Sequence, residues 1–118
     1  MSINFSGFNI HAKDPFKSLE FYGGLGLSIE EEPDDNGEAV LKWGEHTALW
    51  IWHDESENNN VNKKRMTIEI VAHCADINKS YSELKNAGYD INESELMSYG
   101  GKEMYLFDPD GNKILFLD

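Results

Sequence analysis

The segment Asp14 to Ile29 lies over Asp76 to Ile91 without a gap, and five of the sixteen positions are identical. Asp14 meets Asp76, Lys17 meets Lys79, Ser18 meets Ser80, Gly26 meets Gly88 and Ile29 meets Ile91. Caps and stops recur in any helix, so the identities alone are compatible with chance. They coincide with a repeated order of elements, and that coincidence points to an internal duplication. A chain of 118 residues is one domain of ordinary size. Built twice from one plan, it is expected to fold as two like modules.

The first module reads strand, helix, three strands. Ile3 to His11 is the first strand, with Phe5, Phe8 and Ile10 among its apolar residues. Asp14 caps a helix and Pro15 takes its first position. Phe16, Leu19 and Phe21-Tyr22 make an apolar stripe at helical spacing, and Gly23-Gly24 is the expected stop. Leu25 to Glu31 leads into a second strand. Glu32-Pro-Asp-Asp-Asn-Gly37 is turn chemistry, Glu38 to Trp43 a third strand, and Thr47 to His53 an aromatic-rich fourth. Asp54 to Lys64 is a polar linker carrying the run Asn58-Asn59-Asn60.

The second module repeats the order. Arg65 to Ala72 is a strand. Asp76 caps a helix with the stripe Ile77, Tyr81 and Leu84 and a stop at Gly88. Tyr89 to Asn92 is a short strand. The chain closes on Tyr105-Leu-Phe-Asp-Pro-Asp-Gly-Asn-Lys-Ile-Leu-Phe-Leu-Asp118, a hairpin. Pro109 sets φ, Asp108 and Asp110 bond their own backbone, and Gly111 supplies a positive φ. Its flanks are apolar on both strand faces, so both faces should be at least partly covered. The organisation is thus one domain over 1–118, with modules at about 1–53 and 65–118 and a linker at 54–64.

Charge narrows the partners. The net charge is -12, the wrong sign for nucleic acid or an anionic membrane. It permits a cationic ligand, although solubility alone also accounts for it. No apolar run reaches the length of a membrane span, and no signal layout opens the chain. The single cysteine, Cys74, excludes an intrachain disulfide and fits a reducing cytoplasm. Cys74 lacks the context of a nucleophile and reads as a small, at least half-buried thiol.

The two modules, the Leu19-Glu-Phe-Tyr22 helix before Leu25-Gly-Leu27, and the closing Phe107-Asp-Pro-Asp-Gly-Asn112 turn resemble the vicinal oxygen chelate superfamily. That superfamily holds glyoxalases, bleomycin resistance proteins, fosfomycin-modifying enzymes and extradiol dioxygenases. The resemblance covers essentially the whole chain. It implies an α+β fold of two βαβββ modules, whose strands form a curved, open barrel-like mixed sheet. Helices lie on the convex side and the ligand on the concave side. Metal-dependent members carry a ligand seven residues before the first helix cap, here Gly7, and another in the last strand, here Leu115. Neither side chain can donate. The ligand opening the second module falls on Thr67 or Glu69. In the fourth strand His53 shares a face with Ile51, so Glu69 with His53 is the fullest residual set, two donors where three or four are needed. No metal or other cofactor is therefore expected.

The remaining candidates are aromatic and acidic. Glu103, Tyr105 and Phe107 share one strand face, which by the resemblance looks into the pocket. Trp50 and Trp52 share another, with Trp43 near in sequence. Rings on a pocket wall suit planar or cationic guests, but the tryptophans could equally be core or a dimer interface. His11 shares a face with Gly7 and Asn9 at the pocket's edge, or is simply a half-exposed polar residue. His46 in a turn and His73 in the bend before a helix read as solvated. The candidate ligand-binding set is Asn9, His11, Trp50, Trp52, Glu69, Glu103, Tyr105 and Leu115. Tyr99-Gly-Gly-Lys-Glu-Met-Tyr105 resembles the aromatic-Gly-x-x-Glu segment of bleomycin resistance proteins. That resemblance implies metal-free sequestration of a small, aromatic or cationic organic molecule by a cytoplasmic homodimer, without catalysis. The alternatives are a divergent metal-dependent lyase, isomerase or dioxygenase, and a partner-binding domain with no small ligand.

Overall fold

The computed structural model describes residues 2–55 and 67–118. The asparagine run of the linker and the expected strand start at Arg65 lie outside the described residues. The chain divides into two compact units, Met1–Met66 and Thr67–Asp118. The first contains β1 (Phe8–Ala12), α1 (Pro15–Gly24), β2 (Ser28–Glu31), β3 (Ala39–Trp43) and β4 (His46–His53). The second contains β5 (Glu69–His73), α2 (Ile77–Asn86), β6 (Glu95–Leu96), β7 (Lys102–Phe107) and β8 (Lys113–Leu117).

The topology repeats strand for strand. The first sheet has the order β1-β4-β3-β2 and the second β5-β8-β7-β6. In each, the first strand pairs in parallel with the last, and the other pairings are antiparallel. Both sheets are open four-stranded mixed sheets, so the fold is α+β as the resemblance implies.

The helix ends repeat as closely. The side chains of Asp14 and Asp76 accept from the backbone N–H of Lys17 and Lys79, each satisfying one orphan donor of its helix. At the other end, Leu27 N–H bonds Tyr22 O and Gly26 N–H bonds Gly23 O. Tyr89 N–H bonds Leu84 O and Gly88 N–H bonds Lys85 O. Both are Schellman caps, which need a left-handed residue, and Gly26 and Gly88 supply φ of 103° and 94°. The first helix therefore runs through Gly23-Gly24 and stops at Gly26.

Alternation along the strands divides each sheet into a covered and an open face. In the first unit Ile10, Ala12, Ala39, Leu41, Leu49 and Ile51 are buried, with Tyr22 and Ser18 of α1 fully buried. Helix α1 packs against β4. In the second unit Met104, Leu106, Ile114 and Phe116 are buried, while Val71, Tyr105 and Phe107 on the other face remain about half exposed. The closing turn anchors this unit. Asp108 and Asn112 are 5% and 3% exposed. One Asp108 carboxylate oxygen takes the backbone N–H of Asp110 and Asn112, and the other takes the Asn112 amide. Asn112 Oδ1 in turn accepts from Ile68 N–H at 2.8 Å, tying the hairpin to the approach of β5.

Three sequence expectations are corrected. The first strand begins at Phe8, not Ile3; Ile3 and Phe5 are each 79% exposed, so apolar character there reflects no ladder. The sixth strand is Glu95–Leu96, not Tyr89 to Asn92. Tyr89 N–H is consumed by the helix cap, and the carbonyl of buried Ile91 accepts from Lys85 Nζ, leaving that segment engaged locally. The fifth strand begins at Glu69 and ends at His73. Among the described residues no helix is long and apolar enough to cross a membrane.

Candidate functional site

On the first sheet, parallel pairing sets Asn9 opposite Trp50 and His11 opposite Trp52. The antiparallel pairing continues the row from Trp50 to Val40 and Glu31. These side chains share the face opposite to Leu49 and Ile51, and within the row Val40 is itself buried. Trp52 Nε1 donates to Asn9 Oδ1 at 2.9 Å. This bond spans 43 residues of sequence, orients the indole and satisfies its only donor. Glu31 reaches this face through a bulge: Ile29 pairs with Leu41, but Glu31, not Glu30, comes opposite Val40. The extra residue re-aims one carboxylate.

Beside Trp50 and Trp52 lies a cleft of 270 Å³, also lined by Glu31, Glu32, Asp34 and Glu38. A neighbouring cleft of 530 Å³ shares Glu31, Val40 and Trp50 with it and extends past Phe5 and His46. Two of the carboxylates are already employed. Asp34 Oδ1 accepts from Asn36 and Glu38 N–H, closing the turn, and Glu38 Oε2 accepts from His53 N–H at 3.1 Å. Glu31 and Glu32 are exposed. The acidic wall was not anticipated from sequence, where 32–37 read only as a turn. Its visible signal was the density of carboxylates there; the bulge has no sequence signature.

On the second sheet the open face forms three rows. Glu69 pairs with Lys113 and Lys113 with Phe107; Val71 with Leu115 and Leu115 with Tyr105; His73 with Leu117 and Leu117 with Glu103. Lys113 Nζ lies 3.8 Å from Glu69 Oε1 and 4.7 Å from the Tyr105 ring centroid. Tyr105 and Phe107 meet edge to face at 5.7 Å. Tyr99 donates its hydroxyl to Glu103 Oε2 at 2.5 Å. That bond, reinforced by the negative charges of Glu103 and Asp118, pushes the tyrosine up to about 12. A Cβ at Gly101 would stand 2.5 Å from the Tyr99 ring, so only glycine there lets the ring lie back toward Glu103.

Two histidines sit differently from expectation. His46 is the first residue of β4, paired with Trp43, and His73 the last of β5, on the open face. Cys74 is a half-buried free thiol.

The residues present do not fit the metal centre that the resemblance describes. Gly7 has no side chain. Leu115 is flanked by Val71 and Tyr105 in an apolar row. Thr67 is exposed and its methyl approaches the closing turn at Gly111. Glu69 is engaged by Lys113. His53 has the parity of Leu49 and Ile51 and so lies on the covered face, opposite to the tryptophans; its Nδ1 is buried 3.6 Å from Glu55 without a hydrogen bond. Among the described residues no three His, Cys, Asp or Glu side chains converge where a metal could bind.

Solved structures share this architecture. A bleomycin-binding protein complexed with bleomycin is 21% identical, with 98% of each chain covered and a TM-score of 0.70. Lactoylglutathione lyase from Agrobacterium tumefaciens is 15% identical over 94% of this chain and 90% of its own, with a TM-score of 0.71. TioX from Micromonospora sp. ML1 is 13% identical over 97% and 98%, with a TM-score of 0.75. These likenesses establish the fold. Among curated proteins no sequence match is found. A family model for the glyoxalase/bleomycin resistance protein/dioxygenase superfamily matches residues 5–116, nearly the whole chain, and the chain therefore belongs to that superfamily.

Proposed function

We propose that this protein binds a small, aromatic or cationic organic molecule without a metal and without transforming it, as a cytoplasmic homodimer. The observation that carries this reading is the cleft walled by Trp50 and Trp52 and rimmed by Glu31, Glu32 and Glu38. Indole faces attract flat rings and cations, by about 0.5–1.5 kcal/mol per aromatic pair and about 0.5–1 kcal/mol per exposed cation–π contact. Carboxylates at the rim favour positive charge and disfavour anions. The contributing residues on the first sheet are Asn9, His11, Trp50 and Trp52, with Asn9 holding the Trp52 indole. Those on the second are Glu69, Glu103, Tyr105 and Leu115. Leu115 offers an apolar floor where metal-dependent relatives are expected to hold a ligand. The two modules and the linker act as one domain.

Calorimetry with cationic, neutral and anionic aromatic compounds of similar size tests this. Cationic compounds should bind best, quench tryptophan fluorescence and be recovered unchanged. Trp50→Leu or Trp52→Leu should weaken them about fivefold, the equivalent of about 1 kcal/mol. Binding independent of both tryptophans, preference for anions, or turnover of a bound compound would overturn the reading.

A further inference from the structure

We infer that Lys113 is a resident competitor for the cation site of the second sheet, and so a specificity-determining residue. This rests on the proposed ligand-binding role of the open faces. An aromatic face on one side and a carboxylate on the other together make a site for an organic cation. The second sheet builds that pair from Tyr105 and Glu69, and Lys113 already fills it. Its Nζ is 3.8 Å from Glu69 Oε1 and 4.7 Å from the Tyr105 centroid.

Strand register explains why the three meet. Lys113 is paired directly with Glu69 on one side and Phe107 on the other, and Tyr105 is two residues before Phe107 on the same face. The Phe107 and Tyr105 rings meet edge to face, with centroids 5.7 Å apart. The lysine and glutamate side chains are 36% and 50% exposed, so the ion pair is screened and easily displaced. A lysine carries its charge on a flexible four-carbon stem and can swing away, which a stacked arginine would resist. A cationic guest gains on this sheet only the difference between its own contacts and those Lys113 gives up. Because Lys113 Nζ stands over the Tyr105 ring, a neutral aromatic guest, with no charge to set against that contact, packs on the Phe107 ring instead and stays outside the competition. Lys113 thus narrows the charge preference that Glu69 and Glu103 would otherwise set.

Nuclear magnetic resonance titration of the full chain tests this with benzyltrimethylammonium as the cationic probe and benzyl alcohol as the neutral one. Shift changes on β7 and β8 locate binding. Lys113→Met should bind the cation about fivefold more tightly, the size of a half-exposed cation–π contact, and benzyl alcohol unchanged. Lys79→Met, which removes the same charge from helix α2, should behave as wild type. In the wild-type protein the Lys113 ε-methylene protons should be shifted upfield by the Tyr105 ring and relax toward ordinary values as the cation is added. This last readout needs no variant to fold. If both probes bind these strands but Lys113→Met gains nothing, or no more than Lys79→Met, the competitor role is wrong and the binding role stands. If neither probe perturbs either open face in any variant, both are wrong.

Discussion

Tyr99 and Glu103 are joined by a hydroxyl-to-carboxylate hydrogen bond of 2.5 Å across one turn of chain. The bond holds only while Tyr99 keeps its proton, which is why its ionisation is pushed up to about 12 from 10.0. The sign follows from linkage: a raised tyrosine contributes its full effect below its unfolded value near 10 and loses it as pH rises through about 12. The shift of an exposed side chain leaves overall stability nearly untouched. Following the assigned Tyr99 ring-carbon resonances with pH should show ionisation only near 12, and Glu103→Gln should return it toward 10. A Tyr99 that ionises near 10 in the wild-type protein would refute the contact.

Asn112 carries more structural weight than its place in a turn implies. It is 3% exposed and bridges Asp108 to the Ile68 backbone. Asn112→Ala leaves a buried carboxylate oxygen and a backbone N–H without those partners. Losing such bonds costs about 1–3 kcal/mol each where the group stays buried, so a loss of about 2–4 kcal/mol is expected in urea unfolding. Asp110→Ala, whose side chain is only part-buried, should cost under about 1 kcal/mol. Equal effects of the two would contradict the anchoring role.

Much of the fold was legible because its signals are local. Asp14, Asp76, Gly26 and Gly88 announce helix ends by chemistry that acts within a few residues. Parity placed Glu103, Tyr105 and Phe107 together, and Trp50 with Trp52, because a strand alternates whatever its partners are. What stayed hidden was set by pairing. The bulge that turns Glu31 onto the open face depends on β3, and the Asn9–Trp52 bond depends on a register across 43 residues. The same parity showed His53 and Ile51 on one face, yet only burial told which face was covered. The apolar residues Ile3 and Phe5 looked like strand because composition does not report whether a ladder partner exists.

Metal content is the most direct check on the donor set. Gly7 and Leu115 offer no atom, Glu69 is paired, and His53 points to the covered face. Protein purified without chelator should carry no stoichiometric zinc, nickel, manganese or iron. Elemental analysis finding about one ion per chain after desalting would overturn this, since two scattered donors hold a divalent ion only weakly.

Assembly follows from what the open faces leave uncovered. Trp52, Val71, Tyr105 and Phe107 are 49%, 56%, 48% and 55% exposed. Val71, Tyr105 and Phe107 share one face of the second sheet, contiguous exposed apolar area of this kind marks binding or assembly surfaces, and the resemblance implies a groove shared between two subunits. Light scattering at micromolar concentration should give twice the chain mass of 13.5 kDa. A mass of one chain would count against the homodimer.

Glu103 decides whether the negative charge serves recognition. It lies half-buried on the open face, one Oε held by Tyr99, which leaves the other oxygen as acceptor and fixes its direction. A cationic guest touching it gains a charge-assisted contact that a neutral guest cannot. Because the site is partly solvated, the contact is worth about 1 kcal/mol rather than the larger values of dry sites. Glu103→Gln keeps the shape and removes the charge, so it should reduce the preference for cationic over neutral aromatics about fivefold. Tyr99→Phe keeps the charge and removes the tether, so it should cost less, about twofold, by letting the carboxylate turn away. Calorimetric comparison of the two variants separates charge from orientation. If Glu103→Gln leaves the preference intact, the net charge of -12 acts on solubility, and any selectivity resides with the tryptophan cleft.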